Sequence, residues 1–182
     1  MSYHIRQARR DEATAVADLA VETFPMACPP SLSEYDMRAY IDEHLTAQRF
    51  AEHLAHPERD VLVASDDTRL LGYVLLFFDS DGAPAPELGV TLATSGLLSK
   101  CYVRHESHGQ GVAAALLEAA EHRAVERGVE GLWLNVNYDN HRAQRFYAKH
   151  GWERVGYVDF IVGKAVHRDP VLQKPCGVAG QV

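Results

Sequence analysis

The stretch YVRHESHGQGVAAALLEAAEHRA, residues 102–124, opens as a strand, passes through a polar turn holding two glycines, and leaves as a helix of alanines and leucines. A turn that only reverses the chain needs one residue with permissive dihedrals. Gly109 and Gly111 instead strip side chains from alternate positions, where the amides of a helix start are exposed. Three readings compete. The first is a tight strand-to-helix connection with no ligand. The second is dinucleotide binding, because Gly109-x-Gly111-x-x-Ala114 fits G-x-G-x-x-G/A between a strand and a helix. Against it, RHESH separates strand from glycine, and the next strand, GLWLNVN, ends in asparagines where an acid would hold a ribose. The third is a pyrophosphate cradle, in which about four free amides and the positive end of a helix dipole receive two linked phosphates.

Working outward, short apolar strands alternate with amphipathic helices. Residues 3–8 read as a strand and 11–22 as a helix with Ala13, Val16, Ala17 and Ala20 on one face. After the proline-rich FPMACPPSL, helical spacing returns over 33–55, with acids at Glu34, Asp36, Asp42 and Glu43. DVLVAS and RLLGYVLLFF read as an antiparallel pair around a polar turn at 66–68, and 79–95 as a loop. LLSKCYV is the next strand, 111–127 the quoted helix and GLWLNVN a further strand. Asn140 opens a helix that Gly151 ends, and ERVGYVDFIVG supplies one or two last strands. Residues 168–182, with two prolines and two of the chain's glycines between Arg168 and Gly180, read as a loose tail. This alternation predicts an α+β or α/β sheet domain with mixed pairing over 1–167.

Composition narrows the function classes. At 182 residues with 47% hydrophobic side chains, the chain is one ordinary domain with a real core. A net charge of -7 disfavours nucleic acid, whose affinity rests on clustered Lys and Arg, and mildly favours small cations. Cys28, Cys101 and Cys176 are far apart and form no C-x-x-C pair, which fits a reducing cytoplasm. The N-terminus lacks a signal-peptide core, and no apolar run approaches a membrane span of roughly 18 residues. His53/His56 and His105/His108 each form H-x-x-H, but neither completes a recognised ligand set, so no metal is expected.

A second segment lies downstream: LNVNYDNHRAQRFYAKHGW, residues 134–152. Together the two segments resemble the GCN5-related N-acetyltransferases, the GNAT family. His108-Gly109-Gln110-Gly111-Val112-Ala113 is similar to that family's Q/R-x-x-G-x-G/A, with histidine departing from the pattern. Leu134, Val136, Asn140, Ala143, Phe146, Tyr147, Lys149 and Gly151 fall in register with the family's second segment. The resemblance covers about the second half of the chain and implies a single-domain fold with a mixed central sheet of about six to seven strands flanked by helices. It implies acetyl-CoA as cosubstrate. Amides of residues 109–113 would hold the pyrophosphate, with a donor from His108, and the backbone of Cys101, Tyr102 and Val103 would pair with pantetheine. Asn140, Ala143, Tyr147 and Lys149 complete the implied coenzyme contacts. Within the family, the chain looks most like bacterial polyamine acetyltransferases of the PaiA type.

Acyl transfer to an amine needs a neutral amine, a stabilised oxyanion and a proton for the departing thiolate. The resemblance assigns the oxyanion to the Val103 amide and the proton to Tyr147. An amine with a pKa of about 10.4 costs about 4–5 kcal/mol to deprotonate at neutral pH, so a base is expected. Where family members frequently carry glutamate, this chain has Ser99 with Lys100 beside it; Tyr35, Glu34, Asp139 and the histidines stand as alternatives. Plainer readings accompany each residue: a helix cap for Asn140, core packing for Phe146 and Tyr147, a small buried residue for Cys101, a solvated face for the acids of 34–43. The expected function is N-acetylation of a primary amine on a small cationic molecule by direct transfer, with no nucleic-acid or membrane partner and a homodimer left open. The alternatives are a non-catalytic coenzyme A-binding module and a protein or peptide N-acetyltransferase.

Overall fold

The fold is described from a computed structural model covering residues 2–162 and 165–177. Its strands are β1 (His4–Gln7), β2 (Arg59–Ser65), β3 (Leu70–Phe77), β4 (Ser95–Val103), β5 (Gly131–Asn135), β6 (Glu153–Val162) and β7 (Ala165–Pro175). They form a 7-stranded sheet in the order β1-β2-β3-β4-β5-β7-β6. β4 runs parallel to β5, while β1 with β2, β5 with β7 and β6 with β7 are antiparallel, the mixed pairing that the alternation of elements predicts. The helices are α1 (Ala13–Thr23), α2 (Glu34–His44), α3 (Ala47–Ala55), α4 (Val112–Glu126) and α5 (His141–Lys149).

Two compact units divide the chain: Met1–Leu76 with Lys100–Ala120, and Phe77–Ser99 with Glu121–Val182. In the first, β2 is buried from Asp60 to Ser65 and β3 from Leu70 to Leu76, as strands covered on both faces must be. Val16, Leu19 and Ala20 of α1, Phe50 of α3, and Leu116 and Leu117 of α4 are also buried there. The β2–β3 turn is closed by Asp66, whose Oδ1 accepts from the amides of Thr68 at 2.7 Å and Arg69 at 2.8 Å, the Asx geometry its sequence favours. In the second unit, Ala85, Val90, Leu92, Trp133 and Val171 form the core, and Trp133 Nε1 donates to the Ala83 carbonyl at 3.1 Å.

Two expectations change. The helical spacing over 33–55 breaks at Leu45, and Thr46 starts α3: its backbone is extended and its hydroxyl accepts from the Arg49 amide at 3.2 Å. A hydroxyl that satisfies an orphan amide favours a cap over helix interior. Arg168 to Pro175 do not form a loose segment, since β7 continues to Pro175 and pairs with both β5 and β6; the rest of the expected tail, 178–182, lies outside the described residues. Val171 and Leu172 are buried, and Gln173 is tied to Thr91 by bonds of 2.7 and 2.9 Å. The prolines misled: a proline that has no ladder amide to supply is tolerated in a strand, and here apolar burial outweighs it. A boundary at 167/168 therefore falls inside β7.

Candidate active site

The chain leaves β4 through a short 3-10 turn, His105–Ser107, that is pinned on both sides. The Arg104 amide donates to the Leu71 carbonyl at 2.8 Å, its Nε to the Leu70 carbonyl at 2.8 Å, and its guanidinium pairs with Glu22. Arg69 reaches Glu106 at 2.8 Å. On this base stand Gly109, with φ +77°, and Gly111, with φ +83°, values that cost a side chain-bearing residue about 1–2 kcal/mol. A Cβ at Gly109 would meet nothing within 4 Å, and one at Gly111 only the Tyr3 hydroxyl at 3.4 Å. Neither glycine is there for packing. They turn the backbone and leave its outer side bare.

The first helical bond of α4 runs from the Ala115 amide to the Gly111 carbonyl at 3.0 Å. Among the described residues, the amides of Gly109 to Ala113 have no protein acceptor. Val112 is buried, Ala113 half-buried, and the two glycines exposed, so the turn offers a convex row of donors at the positive end of a helix dipole. Such a row fits an anion with several oxygens. The long side chains of the turn stay clear of it. Gln110 folds back, its Nε2 donating to the Glu106 carbonyl at 2.7 Å.

His108 also points elsewhere than the resemblance implies. Its Nε2 lies 2.9 Å from the Val103 carbonyl. A carbonyl only accepts, so the ring donates there and fastens the turn to the end of β4; that nitrogen is therefore not the donor to a phosphate.

Strand phase places the remaining backbone groups. In an antiparallel pair, residues opposite each other alternate between bonded and non-bonded. The Arg104–Leu71 bond sets Tyr102 opposite Tyr73 and Lys100 opposite Leu75, and it turns the Cys101 and Val103 backbone away from β3. On the other edge, β4 pairs with β5 only from Ser95 to Leu97. Val103, the residue expected to face an oxyanion, thus lies beyond that parallel pairing.

In the second unit, Asn140 caps α5: its Oδ1 accepts from the Ala143 amide at 3.0 Å, so the plainer reading holds for this oxygen. Tyr147 is buried, its ring 5.4 Å from that of Phe146 and 5.5 Å from that of Trp152. Lys149 is exposed in the last turn of α5. Of the expected bases, Tyr35 is 81% exposed and Glu34 and Asp139 are exposed; Ser99, which stands where family members frequently carry glutamate and is no base itself, is half-buried. Glu34, Asp36, Asp42 and Glu43 all face solvent, and Asp36 serves the α2 cap, where its amide donates to Ser33 Oγ at 3.0 Å.

The structure also assembles a group of side chains that the sequence did not join. Lys100 Nζ donates to the Tyr40 hydroxyl at 3.2 Å. Tyr40 stacks on Phe24, with centroids 4.6 Å apart and planes 9° apart, and lies 4.5 Å from the His44 ring. Tyr73 packs edge-on against Phe50 at 5.6 Å and beside Tyr102 at 5.8 Å. Burial pushes the Tyr73 and Tyr102 phenols well above their ordinary range, with neighbouring phenols and the Cys101 thiol adding to the effect. His53 accepts at Nδ1 from Arg59 Nη1 at 3.1 Å. Arginine only donates, so the proton of the neutral ring sits on Nε2. Burial first, then Arg59 and Lys100, hold His53 down to about 4. Lys100 was visible beside Ser99 and His53 as half of an H-x-x-H pair, but their grouping with Tyr40 and Tyr73 carried no signal, because nothing in one sequence joins segments so far apart. Among the described residues, no three His, Cys, Asp or Glu side chains group as metal ligands, and no helix is long and apolar enough to cross a membrane.

Comparison with known proteins bears on this geometry. The family model described as "Acetyltransferase (GNAT) family" matches residues 14–152. An uncharacterized N-acetyltransferase of Mycobacterium bovis is 37% identical over 161 residues, 88% of this chain and 96% of that protein. Another from Lactobacillus delbrueckii subsp. lactis is 27% identical over 154 residues, 84% of this chain and 86% of that protein. Among solved structures, the PaiA N-acetyltransferase of Thermoplasma acidophilum in complex with coenzyme A superposes with a TM-score of 0.74 at 18% identity, covering 96% of this chain and 99% of that one. The ribosomal-protein-S18-alanine N-acetyltransferase of Escherichia coli gives a TM-score of 0.69 at 15% identity, covering 99% of this chain and 97% of that one. At such identities the structural likeness speaks to the fold alone.

Proposed function

We propose, from the premise that this chain belongs to the GNAT acetyltransferase family, that it transfers an acetyl group from acetyl-CoA directly to a primary amine of a small molecule within a ternary complex. The observation that carries the reading is the row of unengaged amides from Gly109 to Ala113 on a turn whose two glycines have positive φ. Those amides and the α4 dipole hold the coenzyme diphosphate, while the Cys101–Val103 backbone pairs with the pantetheine arm.

The chain's own groups then account for the chemistry. The neutral amine attacks the thioester carbonyl carbon, and the Val103 N–H stabilises the negative charge that develops on the carbonyl oxygen. As the carbon–sulfur bond breaks, Tyr147 Oη gives its proton to the departing thiolate, and the proton lost by the amine passes to solvent or a base. No covalent intermediate on the protein is required. Cys101, whose side chain alternates to the face opposite Tyr102, needs no nucleophilic role. His108 acts one step back by holding the Val103 carbonyl and hence the peptide geometry on which the oxyanion donor depends. Asn140, Ala143 and Lys149 serve the coenzyme through α5.

The chain's overall acidity favours a cationic acceptor such as a polyamine at long range, and PaiA offers a structural parallel. The reading is tested by thiol release from acetyl-CoA over a panel of amines, with coenzyme affinity measured separately. Tyr147→Phe should slow release while the coenzyme still binds. Binding without release for any amine, in the parent, would favour a non-catalytic coenzyme-binding module.

A further inference from the structure

The acceptor side of β4 carries a charge opposite to that of the chain as a whole. Lys100 and Tyr102 share one face of β4, and both lie in the first unit with Phe24, Tyr40, Phe50, His53 and Tyr73. Lys100 is half-buried and has no carboxylate partner among the described residues; its hydrogen bond runs to a neutral phenol, Tyr40 Oη. An ammonium held in that way keeps donors for another acceptor. Tyr102, on the same face of the strand, is half-buried, as is Tyr40.

The charges that act on His53, at the edge of this group, are mainly cationic. His53 senses Arg59, Lys100 and Arg49 as positive neighbours, against Glu52 alone as a negative one. Glu52 is itself engaged by Arg49 at 3.2 Å, and Glu43 by His44 at 3.7 Å, both on exposed sides. A diamine would bring a second ammonium toward Lys100. A carboxylate would bring the missing counter-ion.

We propose that the acceptor is an amino-acid-like molecule whose carboxylate is bound by Lys100 Nζ, with its apolar body on the half-buried rings of Tyr40 and Tyr102. This rests on the acetyl-transfer reading and refines its acceptor from a small cation to a small amine bearing a carboxylate. Lys100 and Val103 lie on one strand, about 10 Å apart along it at 3.4 Å per residue. The lysine's flexible stem spans part of that gap, so a compact molecule reaches both. Lys100 selects the acceptor and takes no part in bond making.

The test compares matched acceptors in a thiol-release assay with acetyl-CoA: apolar and aromatic amino acids, their carboxamides, which keep the amine and remove the anion, and putrescine and spermidine. The parent should prefer carboxylate over carboxamide by about tenfold or more in kcat/KM, and over either polyamine by at least as much, as expected for one charge-assisted bond. Lys100→Met should bring the carboxylate-to-carboxamide ratio to within about threefold, mainly through KM, and Lys100→Arg should keep a clear preference. A parent that acetylates carboxamides or polyamines as well as carboxylates overturns the proposal, and so does a Lys100→Met ratio equal to the parent's. Should Lys100→Met not fold, the parent's preference decides alone. Absence of release with every amine, coenzyme still bound, would overturn the transfer reading itself and this proposal with it, a result distinguishable from release with the wrong amines.

Discussion

The turn after β4 is made of backbone from one continuous segment, whereas the face of β4 around Lys100 is made of side chains drawn from α2, α3, β3 and β4. In the turn, the groups proposed to bind are the bare amides between Gly109 and Ala113, and side chains that accompany them fold away: Gln110 onto the Glu106 carbonyl and His108 onto that of Val103. Around Lys100 the groups proposed to recognise the acceptor are an ammonium and phenols. A site of the first kind suits a cosubstrate that never changes; one of the second kind can be altered residue by residue as the acceptor changes.

The sharpest way to break that comparison is at Gly111. Gly111→Glu combines strain at φ +83° with a carboxylate beside the row of amides. Coenzyme A affinity, measured by calorimetry, should fall on the order of a hundredfold or more, with Lys100→Met close to the parent in the same measurement. Equal losses in both variants would mean that the two regions are not separable.

Tyr147→Phe comes next. Loss of a general acid is worth on the order of a hundredfold in kcat, and coenzyme affinity should move only a few-fold, because the phenol's buried ring is retained. A variant as fast as the parent would remove Tyr147 as the acid.

A pH experiment sharpens the side-chain half. The folded value of His53, about 4, lies below its ordinary 6.5, so the unfolded chain takes up this proton first. The group's contribution to stability is complete above pH 6.5 and is lost as pH falls through 4. It amounts to about 1–3 kcal/mol for a half-buried ring. Denaturant unfolding of the parent against His53→Gln across that window should show the difference. In the same ring, Lys100→Met should raise the value followed by NMR, since Lys100 is among its lowering causes; an unmoved value would place Lys100 away from His53.

The smallest effect is expected at Asn140. Asn140→Ala removes the cap on α5 and should cost about 1 kcal/mol of stability, which thermal unfolding reads. A drop in coenzyme affinity larger than this would show that Asn140 also binds ligand.

What could be read beforehand follows the same division. Gly109 and Gly111 had to be glycine for conformational reasons, so the turn was written into neighbouring letters. Asn140 and Gly151 marked the ends of α5 for similar local causes. The break at Thr46 was harder to see, because the apolar spacing of Leu45 and Phe50 runs through it while a single hydroxyl interrupts the helix. The strand through Pro170 and Pro175 was hidden because proline's usual meaning was overridden by burial of Val171 and Leu172. The pairing of Tyr40 with Lys100 joins residues that only the fold brings together, and the bond of His108 to the Val103 carbonyl likewise depends on the shape of the turn.

The most direct test is a titration of 15N-labelled protein with coenzyme A, followed by amide NMR. The account predicts that the largest shifts fall on the amides of Gly109 to Ala113, at saturating coenzyme and without an acceptor. Binding that leaves those five amides unmoved while others shift would contradict it.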